Sequence, residues 1–367
     1  MVSTLVFALV GLISTVNGLD NGLARKPPMG WMHWQRFRCL TNCKLYPHEC
    51  ISEKLFRDMA DRMSSNGYLA AGYEYIMIDD CWSSKERDSK GRLVPDPDRF
   101  PSGIKNLSDY VSNMLFIIIF ISPVGYIEMG KHLNATGRPI VYSCSWPAYQ
   151  EYKNMKSNYT AVAETCNLWR NWIDVNDSWQ SVTSIIEWFA NNQDRLAPFS
   201  APGRWNDPDM LVIGNFGLSF EQSKGQMSVW SVMAAPLIMS VDLRTIEPKF
   251  RAILLNKDAI AVNQDPLGEM GRLVLKKDGI YVWKKQLTSK GNVRKRHAIA
   301  VLSQRTDGFI YRFEFTLKEL NITSPNGFFI KDIFDEGKSV ASIKDDEKFV
   351  LRMAPTGGTL LVATPKK

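Results

Sequence analysis

The chain has 367 residues, 45% of them hydrophobic and 11% aromatic, and a formal net charge of +7. That is enough apolar material for one large domain and a smaller one, and it excludes a disordered chain. Lysines and arginines alternate with acids and cluster only at Arg294-Lys295-Arg296, so the basic balance does not point to nucleic acid.

Residues 1–18 read as a secretory signal. An apolar run from Leu5 to Ile13 is followed by small residues, Val16 and Gly18, that suit a cleavage site, although the usual basic start is missing. The other comparable run, Met114 to Ile121, is too short to cross a bilayer, so no membrane span is expected. Cysteines 39, 43, 50, 81, 144 and 166 form an even set, for which disulfides are the default in a secreted chain. The four histidines show no metal-ligand spacing, and neither metal nor cofactor is expected. Sequons for N-glycosylation begin at Asn106, Asn134, Asn158, Asn176 and Asn321. The closeness of Asn176 to Asp174 argues against its use.

From Met29 to about Gly268 strand-like and helix-like stretches alternate, as in a parallel α/β domain. Ser52 can cap a helix with Leu55, Met59 and Met63 on one face and Gly67 after its end. A helix from Ser178 carries Val182, Ile185, Ile186 and Phe189 in one stripe. Ser219 and Gln222 form a capping box, and Pro248 suits a first helical turn. Between the helices, strands are expected around Trp31 and at Tyr73–Ile78, Leu115–Ile121, Ile140–Ser143, Leu168–Ile173, Met210–Ile213 and Leu237–Met239. That makes seven, and the nearest stable architecture is an eight-stranded β/α barrel, whose chemistry sits at the C-terminal strand ends. Those ends carry Asp79-Asp80, Ser143 to Trp146, Arg170 to Asp174, and the W-N-D-P-D-M run at 205–210.

A ring of carboxylates and tryptophans suits a sugar: aromatic faces receive its apolar side, and Arg170 can hold a carboxylate ionised or donate forked hydrogen bonds. The plainer alternative makes Arg170 and Asp174 a structural ion pair. After Gly271 short alternating strands take over, with hairpin signals at Lys277-Asp278-Gly279 and Thr356-Gly357-Gly358. Residues 271–367 therefore read as a separate antiparallel β domain, and 19–270 as the barrel.

P-P-M-G-W at 27–31, I-D-D-C-W at 78–82, N-A-T-G-R-P at 134–139, S-C-S-W-P-A-Y at 143–149, W-R-N-x-x-D at 169–174 and W-N-D-P-D-M-L at 205–211 together resemble glycoside hydrolase family 27, the lysosomal α-galactosidases and α-N-acetylgalactosaminidases. The resemblance runs from Leu19 to the end. It implies a (β/α)8-type TIM barrel followed by a β-sandwich, a homodimer, a lysosomal or secreted destination, and hydrolysis of terminal α-linked galactose or N-acetylgalactosamine on glycoconjugates with retained configuration. Retention needs two carboxyl groups about 5 Å apart, one attacking the sugar carbon and one handling the leaving-group proton. Carried over by motif, Asp174 is the acid/base, Arg170 binds the sugar beside it, Asp79 and Asp80 accept ring hydroxyls, Trp34 is the stacking wall, and Tyr149, Asp209 and Met210 complete the pocket. Asp207 fits a loop-tying role at least as well. Ser145 and Ala148 stand where the family's galactosidases carry Glu and Leu, and two small side chains leave room for an acetamido group. The resemblance also pairs Cys39 with Cys81, Cys43 with Cys50, and Cys144 with Cys166.

Between Val111 and Tyr126 the pattern breaks. The family continues there with a strand, a loop, a helix and a further strand ending in K-x-D-G-C, whose aspartate is the nucleophile. This chain has only S-N-M-L-F-I-I-I-F-I-S-P-V, so roughly one β/α unit is missing between residues 112 and 125. Glu128 is the only acid between Asp109 and Glu151 and falls away from the pocket. The reading is an enzyme by descent whose nucleophile is absent. A catalytically dead, secreted sugar-binding relative is the competing class.

Overall fold

The computed structural model describes residues 19–111, 115–117, 123–289, 295–335 and 339–366. The signal-like segment 1–18 and residues 112–114 and 118–122 of the departing stretch lie outside the described residues.

Seven parallel strands form the first unit: β1 (Met29–Met32), β2 (Tyr75–Met77), β3 (Leu115–Ile117), β4 (Ser143–Cys144), β5 (Leu168–Arg170), β6 (Trp205–Asp207) and β7 (Leu237–Met239). They pair in the orders β3-β2-β1-β7 and β4-β5-β6, and a parallel bridge between Leu211 and Met239 joins the two groups. Among the described residues nothing pairs β3 with β4. Among the described residues the β/α barrel is thus open at one seam.

Local chemistry starts the helices where the sequence indicates. The Oγ of Ser52 accepts from the N–H of Leu55 ahead of the helix Glu53–Ser65, which buries Leu55, Met59 and Met63. Ser178 caps Trp179–Leu196, and Ser219 with Gln222 makes the full capping box of Phe220–Val232. One strand expectation is corrected. The sixth strand is Trp205–Asp207 and not Met210–Ile213, because Pro208 has no N–H to give a ladder and Asp209 turns the backbone at φ 84°. Leu211 then makes a single bridge, while the N–H of Val212 goes to Oε1 of Gln226 at 3.1 Å.

The second unit contains β8 (Arg272–Lys277), β9 (Ile280–Leu287), β10 (Arg296–Ser303), β11 (Tyr311–Phe315), β12 (Phe328–Asp332), β13 (Ser339–Ile343), β14 (Phe349–Met353) and β15 (Gly358–Pro365). Six form one antiparallel sheet, β13-β12-β15-β10-β9-β8, and β11-β14 pair against it. Asp278 and Gly279, both at positive φ, make the two-residue β8–β9 hairpin turn. The second expected hairpin is also corrected: Thr356 to Gly358 leads from β14 in one sheet to β15 in the other. The central strands β9, β10 and β15 of the six-stranded sheet are largely buried on both faces. Ile299 and Val301 of β10 face β11 and β14 in the sandwich core, whereas Ala298, Ala300 and Leu302 join the barrel core. Those small side chains admit the helix Phe220–Val232 so closely that a Cβ on Gly358 would lie 2.6 Å from the Cα of Gly225. Lys285 is buried in the same junction and donates to the carbonyls of Val262 at 2.9 Å and Asn263 at 3.4 Å, capping the end of the helix Lys257–Asn263.

Open seams have a measurable consequence. Amides of β3 and β4 are expected to exchange with solvent faster than those of Trp31 and Ile76 in the inner strands. Equal protection by hydrogen-exchange mass spectrometry would mean that another segment closes the barrel.

Candidate active site

The strand ends converge on Arg170, at the end of β5. Its Nη2 donates to Asp174 at 3.0 Å and to the Trp172 carbonyl at 3.2 Å, and its Nη1 meets Asp209 at 3.0 Å. Burial opposes its charge, but Asp209, Asp174 and Asp207 outweigh burial and raise its pKa. The guanidinium side chain is 13% exposed and the Asp174 side chain 59%, so one pair carries both a structural end and a solvent-facing end.

Asp209 is on the structural side. Its side chain is 3% exposed, its Oδ2 accepts from the N–H of Val175 at 2.7 Å, and its Oδ1 is held by Arg170. Both oxygens are therefore committed within the protein. Burial pushes its pKa up to about 7 against the pull of Arg170. Asp207 ties the loop backbone by accepting from the N–H of Asp209 at 2.8 Å. Met210 is 2% exposed; with Asp209 it packs beneath the site more than it lines it.

Asp79 and Asp80 follow β2. The N–H of Asp79 donates to Nδ1 of His33 at 3.3 Å, and His33, fully buried, is edge-on to Phe56. Burial lowers the His33 pKa to about 4, so the ring is a neutral acceptor at ordinary pH. Cys81 is joined to Cys39, which fastens this loop to the one after β1; Cys43 is joined to Cys50 and Cys144 to Cys166. Tyr149, 39% exposed, has its pKa raised by burial and then by Asp174 and Asp80. Ser145 and Ala148 are half-buried at the start of the helix Trp146–Tyr152, and the N–H of Ser145 donates to the Tyr126 hydroxyl at 3.2 Å. Trp34 lies half-buried at the edge, with the Arg38 guanidinium 5.3 Å from its ring centroid. Arg38 in turn donates to Oδ1 of Asn176 at 2.9 Å. This Trp34–Arg38–Asn176 tie and the His33 support escaped the sequence reading. Only their place beside the motifs could have signalled them.

The family model described as "Alpha galactosidase A" matches residues 26–122 and 119–265, and that for the "Alpha galactosidase A C-terminal beta sandwich domain" matches 268–357. The chain belongs to glycoside hydrolase family 27. The α-N-acetylgalactosaminidase of Gallus gallus is 45% identical over 394 residues, covering 95% of this chain and 96% of the relative. The human enzyme of that name is 42% identical over 405 residues, covering 98% and 97%. Human α-galactosidase A is 45% identical over 321 residues, 75% of each chain. The crystal structure of α-galactosidase I from Mortierella vinacea superposes with a TM-score of 0.80 at 24% identity, over 95% of this chain and 100% of that one, and shows the shared fold. The chain is a family 27 glycosidase built as a barrel with a C-terminal β-sandwich. In the Gallus gallus alignment roughly 45 positions have no residue from this chain, given 394 positions and 95% coverage of 367 residues. The barrel model likewise splits into two matches that meet at 119–122.

Asp79 offers a pH test. Its pKa is pushed up to about 6 from 3.8, first by burial and then by Asp80. A carboxyl whose folded pKa is raised favours the protonated fold, so ionisation costs stability progressively as pH climbs from 4 to 6, and fully above that. Asp79→Asn is expected to raise Tm by roughly 2–4 °C at pH 7.5 and by less at pH 4.5. Equal shifts at the two pH values in thermal melts would remove the desolvated-carboxylate account.

Proposed function

We propose that this chain derives from a retaining hydrolase of terminal α-linked N-acetylgalactosamine, with Asp174 as acid/base, and that its 367 residues retain the sugar-recognition half of the site without the nucleophile. The observation that carries this reading is the seam between β3 and β4, which no strand pairing closes among the described residues. It coincides with the break in the family match and with the place where the family carries its attacking aspartate. Among the described residues, the acids that act electrostatically on Asp79 or Asp209 together with Asp174 are Asp80 and Asp207. Three of these acids are already engaged. Asp209 is held by Arg170 and Val175, Asp207 ties the loop, and Asp79 is held at its backbone by His33 and favours protonation at acidic pH. Asp174 can still give a proton, typically worth about 10²–10⁴-fold, but it cannot also attack. The substrates are terminal glycosides of glycoconjugates, and the route is secretory, ending in the lysosome or outside the cell, with a homodimer as the assembly.

The 367-residue chain is expected to hydrolyse neither α-N-acetylgalactosaminide nor α-galactoside at a useful rate, whereas a chain with the family segment reinstated hydrolyses the former. Assaying both on a chromogenic α-N-acetylgalactosaminide decides the point, and comparable turnover would mean that the nucleophile lies elsewhere.

Substrate choice has its own support, since the half-buried Ser145 and Ala148 are too small to fill the space beside a 2-substituent. In the reinstated chain, Ser145→Glu with Ala148→Leu is expected to invert the preference toward α-galactosides, because the carboxylate would bond a 2-hydroxyl and collide with an acetyl group. An unchanged ratio of kcat/KM for the two substrates would refute this pocket assignment.

A further inference from the structure

The tripeptide Asn176-Asp177-Ser178 is a sequon whose closeness to Asp174 argues, on sequence alone, against its use. The structure supplies reasons for the opposite. Asn176 is exposed, and its Oδ1 accepts from Arg38 at 2.9 Å, while no hydrogen bond engages its Nδ2 among the described residues. That division matters because a glycosylated asparagine keeps its carbonyl oxygen and changes only at nitrogen. The Arg38 bond therefore survives modification and holds the amide with its nitrogen turned from Arg38. The backbone is set as well: the N–H of Ser178 donates to the Asn176 carbonyl at 2.7 Å, and the N–H of Asn176 donates to Oγ of Ser181 at 2.8 Å. This turn presents the residue ahead of the helix Trp179–Leu196.

We propose that Asn176 carries an N-linked glycan that forms part of the rim of the sugar pocket and restricts the leaving groups the pocket admits. The proposal rests on the secretory reading above. The donor is a lipid-pyrophosphate-linked oligosaccharide. The nitrogen of the side-chain amide forms a bond to the sugar's C1, the C1–oxygen bond to the pyrophosphate breaks with its electron pair leaving on the lipid pyrophosphate, and the displaced amide proton passes to base. Asn176 lies two residues beyond Asp174, so their Cα atoms are at most about 7 Å apart. Its amide is tied through Arg38 to Trp34. A bulky, hydrated chain at that point stands between the acid and the stacking wall on the solvent side. A free monosaccharide passes it; a sugar still attached to a folded glycoprotein meets it.

Asn176→Gln serves as the control, since it keeps an amide oxygen for Arg38, adds no charge beside Asp174 and cannot be glycosylated. The full chain is secreted from eukaryotic cells, deglycosylated with peptide amidase in heavy-oxygen water, and mapped by mass spectrometry. A heavy-oxygen aspartate is expected at 176. Asn176→Gln is expected to improve its affinity for a glycoprotein bearing terminal α-N-acetylgalactosamine, relative to its affinity for the free sugar, by at least about threefold over the glycosylated chain. The same pair in the segment-reinstated chain, read as KM for the glycoprotein against KM for a chromogenic glycoside, gives the comparison if the shorter chain binds no sugar. Glycans at Asn106, Asn134, Asn158 or Asn321 with Asn176 bare would overturn this proposal alone. Bare asparagines at all five sequons would overturn the secretory reading together with it. An occupied Asn176 with identical ligand discrimination in both proteins would overturn the rim role.

Discussion

A nearly buried guanidinium cannot be left unpaired, and the cost of stranding such a charge amounts to several kcal/mol. Arg170 meets that constraint with Asp209 beneath it and Asp174 beside it, and much of the surrounding geometry follows. Asp209 can reach Arg170 while its backbone stands at φ 84°, a conformation that costs of order 1–3 kcal/mol outside glycine. Asp207 fixes it from the preceding strand, and the Trp230 indole donates to its carbonyl at 2.8 Å. Asp209 then holds the N–H of Val175, the residue after Asp174. The candidate acid is thus positioned by a chain of contacts that begins at a buried charge and ends at an exposed carboxylate.

That chain lies on the supported side of the molecule. The helix Phe220–Val232 follows the W-N-D-P-D-M loop and is buried from Gly225 to its end between the barrel and the six-stranded sheet. Gly225 against Gly358 lets the two units meet at backbone distance, and the Lys285 ammonium closes the same junction on the carbonyls of Val262 and Asn263. The seam between β3 and β4 has no comparable buttress among the described residues. The half of the barrel bearing Arg170, Asp174 and Asp209 therefore keeps its geometry from contacts that do not pass through that seam.

Much of this was legible from residue patterns. Capping residues announced helix starts because a Ser side chain satisfies an otherwise orphaned N–H, and six of the seven apolar runs announced barrel strands. What escaped depends on partners distant in sequence. Met210–Ile213 has the composition of a strand, but Pro208 and the Asp209 turn deny it a ladder. Ser339–Ile343, S-V-A-S-I, is too weakly apolar to be recognised alone, yet pairs with β12 as the sheet's edge. The Thr356 turn looks like a hairpin until β14 and β15 are seen to belong to different sheets. At the site, Asp209 reads as a pocket residue by motif, and only its two occupied oxygens reveal that it positions others.

Recognition and chemistry are separable in such a barrel because they come from different strands. Asp79 and Asp80 on the loop after β2 are braced by His33 and the Cys39–Cys81 bond, and Asp174 after β5 is braced by Arg170; on the proposed reading these are the hydroxyl acceptors and the proton donor. On the proposed reading the attacking group belonged to the strand between β3 and β4, whose loss touches neither brace directly. A retaining site divides its work between a group that stabilises positive charge beneath the sugar and one that protonates the leaving oxygen. Removing the first leaves a pocket that is complete as a set of hydrogen-bond partners and incomplete as a reaction path, since no position of water relative to Asp174 alone supplies the covalent partner.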